Sequence, residues 1–363
     1  MRTAESLSGF ELVVCVCRGQ QYTARDAIDL QILRGELADQ WKRFLRDVAA
    51  EDRAYELDLD ADETAVSAAA EEFRYGHDLI SAEETEGWLA NRNLTLDDFS
   101  DYFTRRYYAA TAGENIIADE VEYDSASSEL RQSFLADLIL SGEFDRIATA
   151  LMWRLAARCA EPDPTPEDIS IEERCFFQRN KIEEAQLPNW LKMIGRDSKW
   201  FHEMLCMEAA YRRCCERILV PQARQRELTT LGLLLTRIET EVIELESREA
   251  AHEALCCVRE DGMSMKEVAA EGRYPYRQAA FVLEDIPADA QQKFMCTSPG
   301  NTLEPVARGD SFEVCRVISK IEPQADDPSV QSRIDQRLLQ RHFLELANRC
   351  VQRRFGRAST RTE

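Results

Sequence analysis

Chemistry in this chain would have to come from thiols, carboxylates or a few histidines. Twelve cysteines are present, among them Cys15-x-Cys17 and the adjacent pairs Cys214–Cys215 and Cys256–Cys257. Zinc sites need a second CxxC or HxxxH at ligand spacing. None follows here, so no metal is expected. Most of the cysteines, such as Cys15, Cys206, Cys256 and Cys315, sit in apolar helical or strand patterns, where a free thiol behaves as a small hydrophobe. The chain therefore reads as reduced and cytoplasmic. Its four histidines are His77, His202, His252 and His342, all read as surface or boundary residues. Residues 51–100 hold fifteen Asp or Glu against three Arg. Such a run is a solvated surface or a face that attracts a basic peptide. A carboxylate pair doing acid–base work would need a partner geometry that spacing does not supply. No Gly-rich phosphate loop, nucleophile elbow or HExxH occurs, and Arg18-Gly19-Gln20 reads as a turn. No catalytic residue and no cofactor is expected.

The aromatic residues are more informative. EGWLANRNLTLDDF at 86–99 and PNWLKMIGRDSKWF at 188–201 share Trp-Leu, a break, a short-side-chain cap and Phe. A shift of 102 residues places Ile80 on Ile182, Trp88 on Trp190, Thr95 on Asp197, Phe99 on Phe201 and Phe103 on Leu205. Thr and Asp are both good N-caps, so the second helix starts at the same place in each copy. The spacing predicts two equivalent helix pairs from a duplication. Their aromatics serve as packing core, or some of them line a groove for a peptide.

These residues must be positioned by the following elements. ELVVCVCRGQQYT is a short extended segment with a Gly turn, and Thr23 caps a helix from Ala24. Asp60 with Glu63, Ser81 with Glu84 and Thr95 with Asp98 have capping-box spacing. Amphipathic helices cover 127–140 and 144–159, and the Pro-rich 161–167 is the clearest linker. From residue 233 the pattern turns to β-α-α-β-α-β, with strands in 235–245 and 312–319 short enough to leave one edge open to an added peptide strand. Ser247 is a cap, and Ser264 with Glu267 is a capping box. A helix over 328–354 closes the chain, with Leu338, Leu339, Phe343, Leu346 and Cys350 on one side. The division expected is 1–113, 114–160, 161–230, 231–323 and 324–363.

Bulk properties narrow the class. A chain of 363 residues with 44% hydrophobic residues buries more than one core. A formal charge of −22 repels phosphate, which argues against a nucleic-acid partner. No apolar run is long enough to span a membrane, and MRTAESLSGFELVVCVCRGQ lacks a signal-peptide layout. Among the 45 basic residues only seven are Lys, which suits a GC-rich bacterial genome.

The order of EEFRYGHDL, EGWLANRNLTLDDF, GMSMKEVAAEG, LEPVARGDSFEVCRVISKIEP and DDPSVQSRI resembles the periplasmic chaperone SurA and its parvulin-type prolyl isomerase relatives. The resemblance covers residues 11–108 and 235–355. It implies an α+β, mainly α fold: a SurA-like helical frame, a small parvulin-like module and a long C-terminal helix packing on the frame. The family's isomerase carries two facing histidines. Here the first strand has none, and the family's Gly-aromatic-His corresponds to Ser311-Phe312-Glu313. The aromatic of the proline pocket corresponds to Phe294. The resemblance therefore implies a non-catalytic peptide-binding protein, with Phe281, Val282, Phe294, Phe312 and Glu313 as peptide-contacting residues. Its partner would be a precursor peptide or another unfolded, extended peptide. Cytosolic proteins of this type occur in clusters making ribosomal peptide natural products, the crocagin type being one candidate. An active isomerase with a divergent site, and a scaffold for a modifying enzyme, are the alternatives.

Overall fold

The computed structural model describes residues 9–111, 127–309 and 311–356, so the expected boundary at 113 and 114 lies outside the described residues. The protein is mainly helical, with two small antiparallel sheets, as the α+β reading requires. Contacts gather the chain into two compact units, Met1–Cys215 with His342–Glu363, and Glu216–Arg341. The five segments read from local pattern are thus collected into two, one of them built from both ends of the chain.

The first unit opens with a hairpin, β1 (Val13–Cys17) and β2 (Gln20–Thr23). Arg18 and Gly19 both have positive φ, at 51° and 81°, which is the two-residue turn whose twist matches the strands. Helices follow as α1 (Ala24–Leu33), α2 (Ala38–Glu56), α3 (Glu63–Gly76), α4 (Ala82–Ala90), α5 (Leu96–Thr111), α6 (Ser128–Leu140), α7 (Glu143–Ala160), α8 (Pro166–Asn180), α9 (Leu187–Ile194) and α10 (Ser198–Ile218). Their caps are largely those read from the sequence. Thr23 with Asp26 and Ser81 with Glu84 form complete capping boxes, and Asp98 N–H donates to Thr95 Oγ1 at 3.1 Å. Two local readings change. Asp62, not Asp60, caps α3, accepting from Thr64 and Ala65 N–H. The Pro-rich stretch is no linker. Thr165 caps α8 with Pro166 at its first position and Asp168 completing the box, and the preceding Glu161 is buried.

The second unit contains α11 (Pro221–Leu231), β3 (Arg237–Leu245), α12 (Arg248–Arg259), α13 (Met265–Gly272), β4 (Tyr276–Val282), α14 (Ala288–Cys296), β5 (Val306–Arg308) and β6 (Ser311–Ile321). This is the expected β-α-α-β-α-β order, with short β5 added. The closing helix α15 (Pro328–Cys350) stops four residues before the expected Arg354. Val351–Arg353 instead forms β7, which pairs antiparallel with β1 through Cys17↔Val351 and Cys15↔Arg353. The side-chain pattern there suits a helix, but β1 offers an open ladder and Phe355 an anchor, its ring 4.9 Å from Phe144. A long-range strand pairing overrides local periodicity.

Candidate functional site: an open sheet edge in the second unit

The sheet of the second unit runs β4-β3-β6-β5. Its two faces are both apolar because β3 and β6 alternate. Ile243, Leu245 and Val314 pack under α12 and α13, with Phe312 alongside. On the other face Ile238, Val242, Cys315 and Val317 pack with Phe294, Leu303 and Leu283. Strands buried on both faces must be central, and β3 and β6 are. This corrects the expectation that 235–245 and 312–319 leave an open edge. On the β6 side the edge is closed by β5 and by backbone bonds such as Leu303 N–H to Cys315 O at 2.8 Å. The sheet thus ends in β5, 3 residues long, on one side and in β4, 7 residues long, on the other, and β4 is the longer edge.

The ladder shows which groups β4 turns outward. Glu244 N–H donates to Pro275 O at 3.1 Å and Leu283 N–H to Thr236 O at 3.0 Å. With the register Val242↔Arg277, Thr240↔Ala279 and Ile238↔Phe281, antiparallel alternation makes residues 277, 279 and 281 the bonded partners of β3. Tyr276, Gln278 and Ala280 therefore point their N–H and C=O groups away from the sheet, and Gln278 and Ala280 are exposed.

The five peptide-contacting residues named from the sequence divide among four surroundings. Phe281 and Phe294 meet edge to face, ring centroids 5.0 Å apart. Val282 packs against Leu235, Val330, Ile334 and Leu338. Phe312 lies on the opposite face, under α12 and α13. Glu313 is buried and held by Arg277 at 2.5 Å and Arg308 at 3.3 Å. A carboxylate committed to two guanidiniums is a structural ion pair, one that becomes costly when a partner is lost. Of the four histidines, His252 alone belongs to this unit, exposed on α12. On the same face of β3 as Ile243 and Leu245, Glu241 accepts from Tyr276 OH at 2.7 Å and Glu239 from Ser319 Oγ at 2.7 Å.

The Trp and Phe residues of the repeat lie in the first unit, in matching surroundings. Phe73 of α3 meets Trp88 at 5.4 Å and Phe99 at 5.5 Å, both edge to face. Phe176 of α8 meets Trp190 and Phe201 at 4.9 Å each, in the same manner. The backbone follows suit. Leu94 N–H bonds to Leu89 O at 3.0 Å, and Arg196 N–H to Leu191 O at 2.9 Å. Asn93 and Gly195 take the left-handed turn at φ 55° and 67°. Upstream the shift becomes 103: Leu79 N–H bonds to Arg74 O and Ile182 N–H to Phe177 O. Leu79, not Ile80, is thus the counterpart of Ile182, and Ile80 is an extra residue, 69% exposed. Sequence reading missed the third helix of each copy because a one-residue offset hides Phe73 from Phe176.

A feature with no sequence signal is a cavity of about 620 Å³ in the first unit, walled by Phe10, Ile28, Ile32, Trp41, Phe134 and Met193. The Arg25–Asp29 pair, 3.6 Å apart, also lines it.

No family model matches the chain, and no curated protein does. Solved structures do. The PrsA peptidylprolyl isomerase of Bacillus cereus aligns over 60% of this chain and 85% of its own, at 9% identity and a TM-score of 0.38. Its Bacillus anthracis counterpart aligns over 55% and 93%, at 13% identity and a TM-score of 0.31. A chain from work on two SurA-like chaperones of Campylobacter jejuni, PEB4 and Cj1289, aligns over 58% and 82%, at 9% identity and a TM-score of 0.20. Among the described residues, no helix is long and apolar enough to cross a membrane.

Proposed function

We propose that the protein is a non-catalytic peptide holder that takes an extended chain as an added strand on β4. The observation that supports this is the outward row of backbone groups at Tyr276, Gln278 and Ala280 on an edge strand. Strand addition draws affinity from such groups and specificity from neighbouring side chains. Phe281 and Phe294 would supply apolar contact on one face. Glu239 and Glu241, on the other face, would favour a peptide carrying Lys or Arg. The partner we favour is a precursor peptide held while other enzymes modify it in ribosomal natural-product maturation.

The test uses proline as a selective block. At Ala280 the N–H points outward, so Ala280→Pro leaves the β3 ladder bonded while removing one donor for the incoming strand. Titration of basic, extended precursor peptides should show at least a tenfold weaker complex for Ala280→Pro at unchanged far-UV circular dichroism. Raising salt should weaken the wild-type complex. Equal affinity of the two proteins would sink the β4 reading. In a peptide assay the protein should give no more than background prolyl isomerisation, since neither β3 nor β6 carries a histidine to stabilise a twisted amide. A large rate lost in Phe294→Ala would establish the isomerase alternative.

A further inference from the structure

Three cysteines far apart in sequence meet in the first unit. Cys17 ends β1, Cys159 lies in the last turn of α7 and Cys350 ends α15. The Cys17 and Cys159 sulfurs are 3.3 Å apart. Cys350 lies close enough to Cys159 for the two thiols to act on each other electrostatically. All are free thiols; Cys17 is buried, while Cys159 and Cys350 are half-buried. The register Cys17↔Val351 explains the meeting, since β7 begins directly after Cys350 and lies on β1. Among the described residues no three His, Cys, Asp or Glu side chains form a metal-holding group, so thiol–thiol chemistry is what the arrangement offers.

We propose that Cys17 and Cys159 are an oxidation site that closes to a disulfide under peroxide, with Cys350 as a neighbouring thiol able to exchange into it. The Cys159 thiolate attacks a peroxide oxygen. The O–O bond breaks, Cys159 becomes a sulfenic acid, and the departing hydroxide takes the thiol proton to form water. Cys17 sulfur then attacks the sulfenic sulfur. The S–S bond forms, the S–O bond breaks, and a second water leaves with the Cys17 proton. Two thiols lose two electrons and peroxide is reduced to two waters. Cys159 is the attacking group because it is the more accessible of the pair. Burial pushes the Cys17 thiol up to about 12, which suits a resolving thiol and not the first nucleophile. Cross-linked positions 142 residues apart constrain the unfolded chain strongly, since the effect grows with loop length.

The experiment treats the folded full-length protein with hydrogen peroxide and maps cross-links by non-reducing digestion and mass spectrometry. The expected product links the Cys17 and Cys159 peptides, forms in Cys350→Ser, and is absent from Cys159→Ser. Oxidised wild type should melt several degrees higher than reduced, and dithiothreitol should return it. Cys159→Ala, checked by circular dichroism, serves if Cys159→Ser does not fold. The proposal is overturned if Cys17 stays a free thiol while the protein is folded. It is also overturned if Cys17 couples indiscriminately to the exposed Cys256 and Cys296, or if the linked form melts no higher than the reduced one.

Discussion

At the scale of single residues, charge burial decides more than charge count. Glu208 is buried between Arg154 and Arg34, the latter at 2.7 Å. Burial alone would raise its carboxyl, but the two guanidiniums outweigh it and hold it below the usual range. Asp137 on α6 goes the other way. Burial pushes it up to about 6, Asp47 adds to the rise, and Arg105, Arg106 and Arg43 only partly offset it. Its folded value exceeds its unfolded one, so the stability it contributes is full below about pH 4 and is lost as pH rises through 6. At neutral pH the ionised form is a net cost. Asp137→Asn should therefore stabilise the protein at pH 7 by about 1–2 kcal/mol, after allowing for partial solvent screening. The gain should vanish near pH 4. Thermal melts of both proteins at the two pH values measure this; an equal gain at both would mean packing, not titration, is responsible.

At the scale of elements, the two helix triplets α3-α4-α5 and α8-α9-α10 share one plan. A Phe on the first helix receives the Trp of the second and the Phe of the third, and a left-handed residue turns the chain between the last two. Phe176 is fully buried, so Phe176→Ala should cost about 3–5 kcal/mol, read as a lowered denaturation midpoint. Phe73→Ala should cost less, because Phe73 is only partly buried. Ile80 has no counterpart in the second triplet and is exposed. Its deletion should cost under about 1 kcal/mol, whereas deleting Leu79 should unfold the α3–α4 turn. If removing Ile80 proves as damaging as removing Leu79, the two turns are not equivalent. The Trp-Leu pair, the caps at Thr95 and Asp197 and the Phe eleven residues after each Trp were legible because they recur at the same spacing within one short window of each copy. The Phe73–Phe176 correspondence was not, since an insertion in a loop changes sequence spacing without changing packing.

At the scale of the whole molecule, the first unit is closed by the C-terminus. Phe343 of α15 stacks between Trp153 of α7 and Tyr211 of α10, at 5.3 and 5.0 Å, and β7 completes the three-stranded sheet. Truncation after Cys350 removes the β7 ladder and Phe355, which is buried. This should lower stability by about 3 kcal/mol or more, measured by urea unfolding, with the second unit's spectroscopic signature retained. A truncated chain as stable as the full one would show that β7 adds nothing to the unit.

Some features were determined by the amino-acid sequence alone. Helix starts at Thr23, Ser81, Thr95, Ser247 and Ser264 follow from a side chain reaching a backbone N–H two or three residues away. The strands at 237–245 and 311–321 follow from alternation, and the mainly helical α+β class follows from both. Other features were decided only by tertiary structure. Whether a strand is central or at the edge depends on which partners bond to both of its sides, and those of β3 lie some forty and eighty residues away. For that reason the open edge moved from the two strands expected to β4. It is also why Val351–Arg353 left the helix for β1, why Cys17, Cys159 and Cys350 came together, and why Phe312 and Phe294 ended on opposite faces of one sheet. A cap is settled within one helical turn, whereas an edge, a thiol cluster or a cavity exists only once distant segments have packed.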